Sequence, residues 1–296
     1  MTVLVTGGTG LVGRFIVEDL LARGEHVFVA GRAAPPADYF ASPVEFRPLD
    51  LDPTADHAAM LSGVTHLVHA AFHHLPGQYR GGEGDDPSEF IRINRDGTIA
   101  LFRAARASGV ERAVFLSSRA VYGPKPAGTI LDEETECRPD TLYGEVKLEV
   151  EQALADLAVP GFGICSLRAT GVYGAPRPDQ PHKWEEQFRA FASGQSVPAR
   201  VGTEVHGRDL AAAVWLALRS DEVPRVMNVS DILIDTRMML ERFQRATGKD
   251  GPLPEPGDTA EFNTMATTRL QSLGWRPGGM ALFEEEMRRL ARAFAD

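Results

Sequence analysis

Three short segments carry side chains that can move a proton or cradle a phosphate. Tyr143 and Lys147 stand four residues apart in Tyr143-Gly144-Glu145-Val146-Lys147, so on a helix they share one face. A free phenol titrates near about 10, and an adjacent ammonium favours the phenolate, so the pair can exchange a proton near neutral pH. Ser117 and Ser118 end an apolar run at 112–117 that reads as a strand. A serine at the carboxyl end of a parallel strand is placed to hydrogen-bond a reacting oxygen. The third segment, Thr6-Gly7-Gly8-Thr9-Gly10-Leu11-Val12-Gly13, joins a β-branched run to an amphipathic one. There Gly7 and Gly10 allow a tight turn that brings backbone close to a pyrophosphate at a helix N-terminus, and Gly13 lets helix and strand pack closely.

These segments must be positioned by regular elements, and the periodicity supplies them. Residues 2–6, 26–30, 44–48, 65–71, 112–117 and 161–167 read as strands, and 11–23, 54–62, 87–108 and 141–157 as helices. Six buried strands alternating with helices predict an α/β fold, a Rossmann-type doubly wound parallel sheet over residues 1–168. Beyond Arg168 the pattern loosens into a proline-rich loop at 175–182 and helices at 184–193, 208–218, 237–247 and 280–295. This half, 169–296, reads as a smaller, mostly helical C-terminal substrate lobe, with 206–230 returning to the Rossmann domain. The glycine-rich stretch 72–86 exceeds ordinary connection lengths and reads as a functional loop.

Composition narrows the class of function. Apolar residues at 43% and charged residues at 24% describe an ordinary packed protein of 296 residues. A formal charge of −10 has the wrong sign for a phosphate-backbone binder, so nucleic acid is not an expected partner. Cys137 and Cys165 form no disulfide framework or metal motif. His73, His74, His182 and His206 lack the spacing of a metal site, and no metal is expected. With no long apolar run and no basic region before the first strand, neither a membrane span nor a signal peptide is expected, and the expected location is cytoplasmic.

Further matches extend along almost the whole chain. They are Asp50-Leu51, His69-Ala70-Ala71, Asn94 with Gly97-Thr98, Ser117-Ser118-Arg119-Ala120-Val121-Tyr122-Gly123, Leu167-Arg168 with Val172-Tyr173-Gly174, Val205-His206 with Asp209-Leu210, Asn228-Val229, and Leu273-Gly274-Trp275 with Pro277. In this order, with the glycine turn and the Tyr143 motif, the chain resembles the extended branch of the short-chain dehydrogenase/reductase superfamily, the NAD-dependent epimerase/dehydratase family. The resemblance implies that Tyr143 is the general acid or base. It also implies that Lys147 holds the nicotinamide ribose and lowers the Tyr143 pKa, and that Ser118 polarises the substrate oxygen. Ser118 stands three residues before Val121 and 25 before Tyr143, the family spacing. The cofactor contacts it implies are Gly7, Thr9, Gly10, Leu11 and Val12 at the pyrophosphate, Asp50 and Leu51 at the adenine, and His69, Ala70 and Ala71 along the groove. Asn94, Ser117, Tyr143 and Lys147 complete that set. By the same resemblance, the helices at 87–108 and 141–157 pair in a homodimer.

Cofactor choice is read at the tip of the second strand, Val29-Ala30-Gly31-Arg32. Gly31 replaces the carboxylate that accepts from the NAD ribose, and Arg32 offers a cation for a 2′-phosphate, so NADP is preferred over NAD. Departures from the family pattern bear on the substrate. Arg119-Ala120 replaces the Asp-Glu pair of the 4,6-dehydratases, and Gly171 replaces the Asn usual in nucleotide-sugar enzymes. The segment between Gly174 and Val205 is short, leaving Arg177, Arg189, Arg200 and Arg208 as candidate cations for a diphosphate. The expected function is NAD(P)-dependent hydride transfer on a small, sugar-like carbonyl or secondary alcohol. A nucleotide-sugar 4-epimerase with tightly bound NAD is the alternative, and a non-catalytic NADP sensor the more distant one.

Overall fold

Buried β-branched runs and the amphipathic segments between them build the elements in the expected order. A computed structural model describes residues 1–75, 82–176, 182–220 and 222–294. The first half comprises β1 (Thr2–Thr6), α1 (Leu11–Ala22), β2 (His26–Gly31), β3 (Glu45–Pro48), β4 (His66–His69), α2 (Pro87–Ile91), a π-helical turn (Arg92–Gly97), α3 (Thr98–Ala107) and β5 (Arg112–Ser118). A 3₁₀ turn (Arg119–Tyr122), α4 (Leu142–Leu157) and β6 (Gly163–Ala169) follow. The second half comprises β7 (Gly171–Tyr173), α5 (Glu185–Ala192), β8 (Val201–His206), α6 (Gly207–Arg219), β9 (Val226–Val229), β10 (Ile232–Asp235), α7 (Thr236–Thr247), α8 (Thr268–Ser272) and α9 (Gly279–Ala293).

The main sheet runs β3-β2-β1-β4-β5-β6-β9 with every pair parallel, which is the doubly wound architecture. Its strand order reverses between β1 and β4, and the crevice at that switch is where such sheets take ligands. One apolar layer packs α1 and α6 on the sheet, with Cys165 fully buried in it. The other packs α3 and α4, through Leu101, Phe102, Val150 and Leu154.

Four expectations are corrected. The sheet has a seventh strand, β9, beyond the six read from periodicity. Residues 54–62 form turns, not a helix. Asp52 Oδ1 accepts from the Thr54 N–H at 2.8 Å and Asp56 Oδ1 from the Ala58 N–H at 2.9 Å, local bonds that compete with helix. The long helix 87–108 is interrupted by its π turn, which brings Gly97 onto the backbone of Leu51; a Cβ there would stand 2.8 Å from the Leu51 carbonyl carbon. The C-terminal part also holds a second sheet, β10-β8-β7, whose strands of three to six residues are too short to show a period.

The main sheet and this second sheet are joined at several points. Thr170 N–H donates to the Val229 carbonyl at 3.0 Å where β6 and β9 end. Strand β8 runs directly into α6, with Gly207 pressed against the Phe15 ring of α1. Trp275 Nε1 donates to the Asp209 carbonyl at 2.8 Å, and Gly278 N–H to the Asp209 carboxylate at 3.0 Å.

Candidate active site

The glycine turn closes at the β1–β4 switch. Gly7 has φ 67°, and a Cβ on it would stand 2.6 Å from the Ala71 nitrogen, so only glycine lets Ala70 and Ala71 lie against the turn. Helix α1 starts at Gly10 with no side-chain cap and no acidic residue in its first turn. The Gly10 N–H is spent on the Gly7 carbonyl at 3.0 Å, so the N–H groups that could meet an anion are those of the first turn of α1, from Leu11 onward. Two residues absent from the sequence reading brace the turn. Tyr39 donates its hydroxyl to the Thr9 carbonyl at 2.7 Å, and Arg14 donates to the Tyr39 carbonyl at 2.6 Å while its guanidinium lies 3.9 Å from that ring's centre. At the tip of β2, Arg32 is exposed and Gly31 has open space, its nearest Cβ neighbour being the Phe46 ring at 3.9 Å. Asp50 is exposed and Leu51 buried beside that end of the crevice.

Three expected cofactor contacts turn their side chains elsewhere. His69 is buried, with Nδ1 2.7 Å from Thr6 Oγ1 and Nε2 3.0 Å from Thr98 Oγ1, so its ring ties β4 to β1 and α3. Burial, aided by the Lys147 charge, holds it down to about 3, a neutral imidazole. Asn94 spends its amide on backbone: Oδ1 accepts from the His73 N–H at 2.6 Å and Nδ2 donates to the His73 carbonyl at 2.8 Å. It thereby fixes the segment carrying Phe72. Ser117 donates its hydroxyl to Glu151 inside the core, away from Ser118.

Lys147 and Tyr143 of α4 lie against the carboxyl end of β5, the end that carries Ser118. Helix α4 begins with Thr141 Oγ1 accepting from the Gly144 N–H at 3.1 Å. A Cβ on Gly144 would stand 2.7 Å from the Ala120 carbonyl oxygen, so this glycine lets the first turn of α4 rest on the turn that follows Ser118. Ser118 Oγ accepts from the Ala120 N–H at 3.2 Å, which keeps its proton for another acceptor. Lys147 is 4% exposed; Nζ donates to the Leu116 carbonyl at 2.7 Å and lies 4.3 Å from the Phe72 ring centre and 5.8 Å from that of Tyr143. Burial pushes its ammonium down to about 7, with the Glu151 carboxylate opposing. Phe72 meets Tyr143 edge to face at 5.1 Å, a contact with no signal in the local sequence.

Behind this trio lies a buried ion pair. Arg168 Nη2 donates to Glu151 Oε2 at 2.7 Å and its Nε to the same oxygen at 3.1 Å. The guanidinium lies 4.9 Å from the Tyr122 ring centre, and Tyr122 donates to Asn228 Oδ1 at 2.7 Å. Glu151 stands four residues after Lys147, so the helical repeat Tyr143, Lys147, Glu151 was the available signal for it. Of the arginines expected to clamp a diphosphate, Arg189 pairs with Glu185 at 2.6 Å and Arg208 with Glu285 at 3.3 Å. Arg200 is exposed, and Arg177 lies outside the described residues.

Residues 3–230 match the model of the NAD dependent epimerase/dehydratase family. The UDP-glucose 4-epimerase of Corynebacterium glutamicum is 30% identical, over 94% of this chain and 91% of its own length. A crystal structure of the Thermus thermophilus UDP-glucose 4-epimerase in complex with NAD is 31% identical, with a TM-score of 0.78 over 99% of both chains. A structure described as MoeE5 in complex with UDP-glucose and NAD is 26% identical, with a TM-score of 0.79 over 99% of this chain and 100% of its own.

Proposed function

Because this chain belongs to the NAD dependent epimerase/dehydratase family, we propose that it uses Ser118, Tyr143 and Lys147 to transfer hydride between a nicotinamide dinucleotide and a small, sugar-like carbonyl or secondary alcohol. The observation that supports this most is the buried Lys147 ammonium beside the Tyr143 ring, at the sheet edge that also carries Ser118. In oxidation the Tyr143 phenolate takes the hydroxyl proton of the substrate while Ser118 donates a hydrogen bond to the same oxygen; in reduction Tyr143 returns the proton. Lys147 stabilises the phenolate by its charge. A nicotinamide dinucleotide held at the glycine turn would supply the hydride chemistry, and Ser118, Tyr143 and Lys147 would orient the substrate oxygen and manage its proton.

A small substrate is favoured because Gly171 lacks the family's side chain and two of the candidate cations are engaged with Glu185 and Glu285. The second reading, a nucleotide-sugar 4-epimerase that retains NAD, has its support in the relatives named UDP-glucose 4-epimerase that match over nearly the whole chain. For the cofactor, the open space at Gly31 and the exposed Arg32 favour NADP. The test is to purify the protein without added nucleotide, denature it and chromatograph what is released. An empty protein that binds NADPH more tightly than NADH supports exchange and the NADP preference; about one equivalent of released NAD points to the epimerase. The Gly31→Asp variant is expected to reverse that preference in a fluorescence titration, since a carboxylate there repels a 2′-phosphate.

We further propose that the protein is a cytoplasmic homodimer paired through α3 and α4. Light scattering at working concentration should return twice the chain mass, and a monomer mass removes the pairing from the proposal. Among the described residues no helix is long and apolar enough to cross a membrane.

A further inference from the structure

The long stretch 72–86 begins with an aromatic ring laid on two groups that can exchange a proton. Phe72 is half-buried and packs into neither apolar layer of the main sheet. Its ring centre lies 4.3 Å from Lys147 Nζ and 5.1 Å from the Tyr143 ring centre, with the two ring planes 80° apart. A further contact, 5.5 Å between centres, joins it to Phe90 of α2. Buried Asn94 clamps both ends of this aromatic pair. Besides its two bonds to the His73 backbone, its Nδ2 donates to the Phe90 carbonyl at 3.0 Å.

Burial strips the Lys147 ammonium of water and disfavours its charged form, whereas the Tyr143 phenolate gains from Lys147 only while that charge is present. The titratable groups facing Lys147 are Glu151 and Tyr143 on its own helix, with Arg168 behind Glu151, and the neutral His69 of β4. The Leu116 carbonyl accepts from Nζ, and the rings of Phe72 and Phe115 cover it, the latter at 4.7 Å. Packing accounts for Phe115, which belongs to the apolar layer under α3 and α4. It does not account for Phe72. A ring face attracts a cation, most strongly where water is excluded.

We propose that Phe72 is a positioning residue of the Tyr143–Lys147 pair: its ring face holds Lys147 in the charged form, and its perpendicular contact fixes the plane of the phenol. This inference rests on the hydride-transfer reading and adds a residue to its machinery. The test follows both groups by 13C NMR over a pH series, in protein labelled at tyrosine Cζ and lysine Cε. The two signals are assigned by their loss in Tyr143→Phe and Lys147→Arg. In Phe72→Leu an apolar side chain still covers the ammonium while the ring face is gone. The Lys147 midpoint is expected to fall and the Tyr143 midpoint to rise, each by about one pH unit, with Tm near that of the parent. Phe72→Tyr keeps the ring and should restore both midpoints. A role in packing alone predicts the opposite sign for Lys147, because water entering a loosened site returns a desolvated ammonium toward its ordinary value of about 10.4. A rise of the Lys147 midpoint, or midpoints that stay in place, overturns the proposal. So does Phe72→Tyr behaving like Phe72→Leu. A parent Tyr143 that titrates at the ordinary phenol value of about 10 counts against the hydride-transfer reading instead. The Lys147 midpoint in Phe72→Leu then still decides whether Phe72 holds that charge.

Discussion

Replacing Tyr143 with phenylalanine is expected to lower kcat/KM by about 10²–10⁴-fold, the range general acid–base catalysis contributes, while dinucleotide affinity and Tm stay near those of the parent. The substitution removes one oxygen and keeps the ring. That ring is held by its edge-to-face contact with Phe72 at 5.1 Å and by the glycine-mediated seat of α4 on the turn after Ser118. Lys147 keeps its bond to the Leu116 carbonyl, which does not involve the phenol. The loss is therefore expected in kcat at saturating dinucleotide, measured once a substrate is in hand. Retention of activity in Tyr143→Phe would place the proton transfer on another group and sink the proposed mechanism.

The second large effect is on stability. Glu151→Ala leaves Arg168, 5% exposed, without its carboxylate, and also strands the Ser117 hydroxyl. Removing one partner of such a pair costs about 3–5 kcal/mol, to be read as a lower denaturation midpoint at unchanged m. The milder Glu151→Gln keeps the shape and deletes the charge. Burial pulls Lys147 down to about 7, and the Glu151 charge is what opposes it. An anion favours the ammonium, so its loss lowers the Lys147 pKa further. If the cation is required for activity, the falling alkaline limb of kcat/KM moves to lower pH in Glu151→Gln. A limb that stays in place would show that Glu151 does not set the Lys147 charge.

Features confined to one segment were legible in the sequence. The glycine turn, Ser118, and the four-residue step from Tyr143 to Lys147 lie where their local patterns put them, because a turn and a helical repeat are set by neighbours in the chain. Features that depend on distant segments were not. The contact of Phe72 with Tyr143 and Lys147 joins residues some seventy positions apart, and the Arg168 pair with Glu151 links a strand to a helix. His69 and Asn94 stand close to the expected groove, yet their side chains serve the scaffold, which a motif cannot reveal since it fixes position and not orientation. The stretch 54–62 misled for a local reason: its apolar spacing suits a helix, but Asp52 and Asp56 bond the backbone first. The strands of the second sheet are short, three to six residues, and runs of that length carry no clear period.

The joints between the two sheets have a kinematic consequence. The chain passes from one to the other at Ala169–Gly171, again where β8 enters α6, and again between β9 and β10. The first and third of these crossings are neighbours, tied by the Thr170 bond to Val229, while the second stands apart against Phe15 and is reinforced through Asp209 by Trp275 and Gly278. A body pinned at two neighbouring points swings like a door; a third pin off that axis makes it a tripod. Connections so arranged oppose the hinge rotation by which many two-lobed enzymes shut around their substrates. Shielding of the reacting atoms is therefore expected from local rearrangement of side chains and connecting segments.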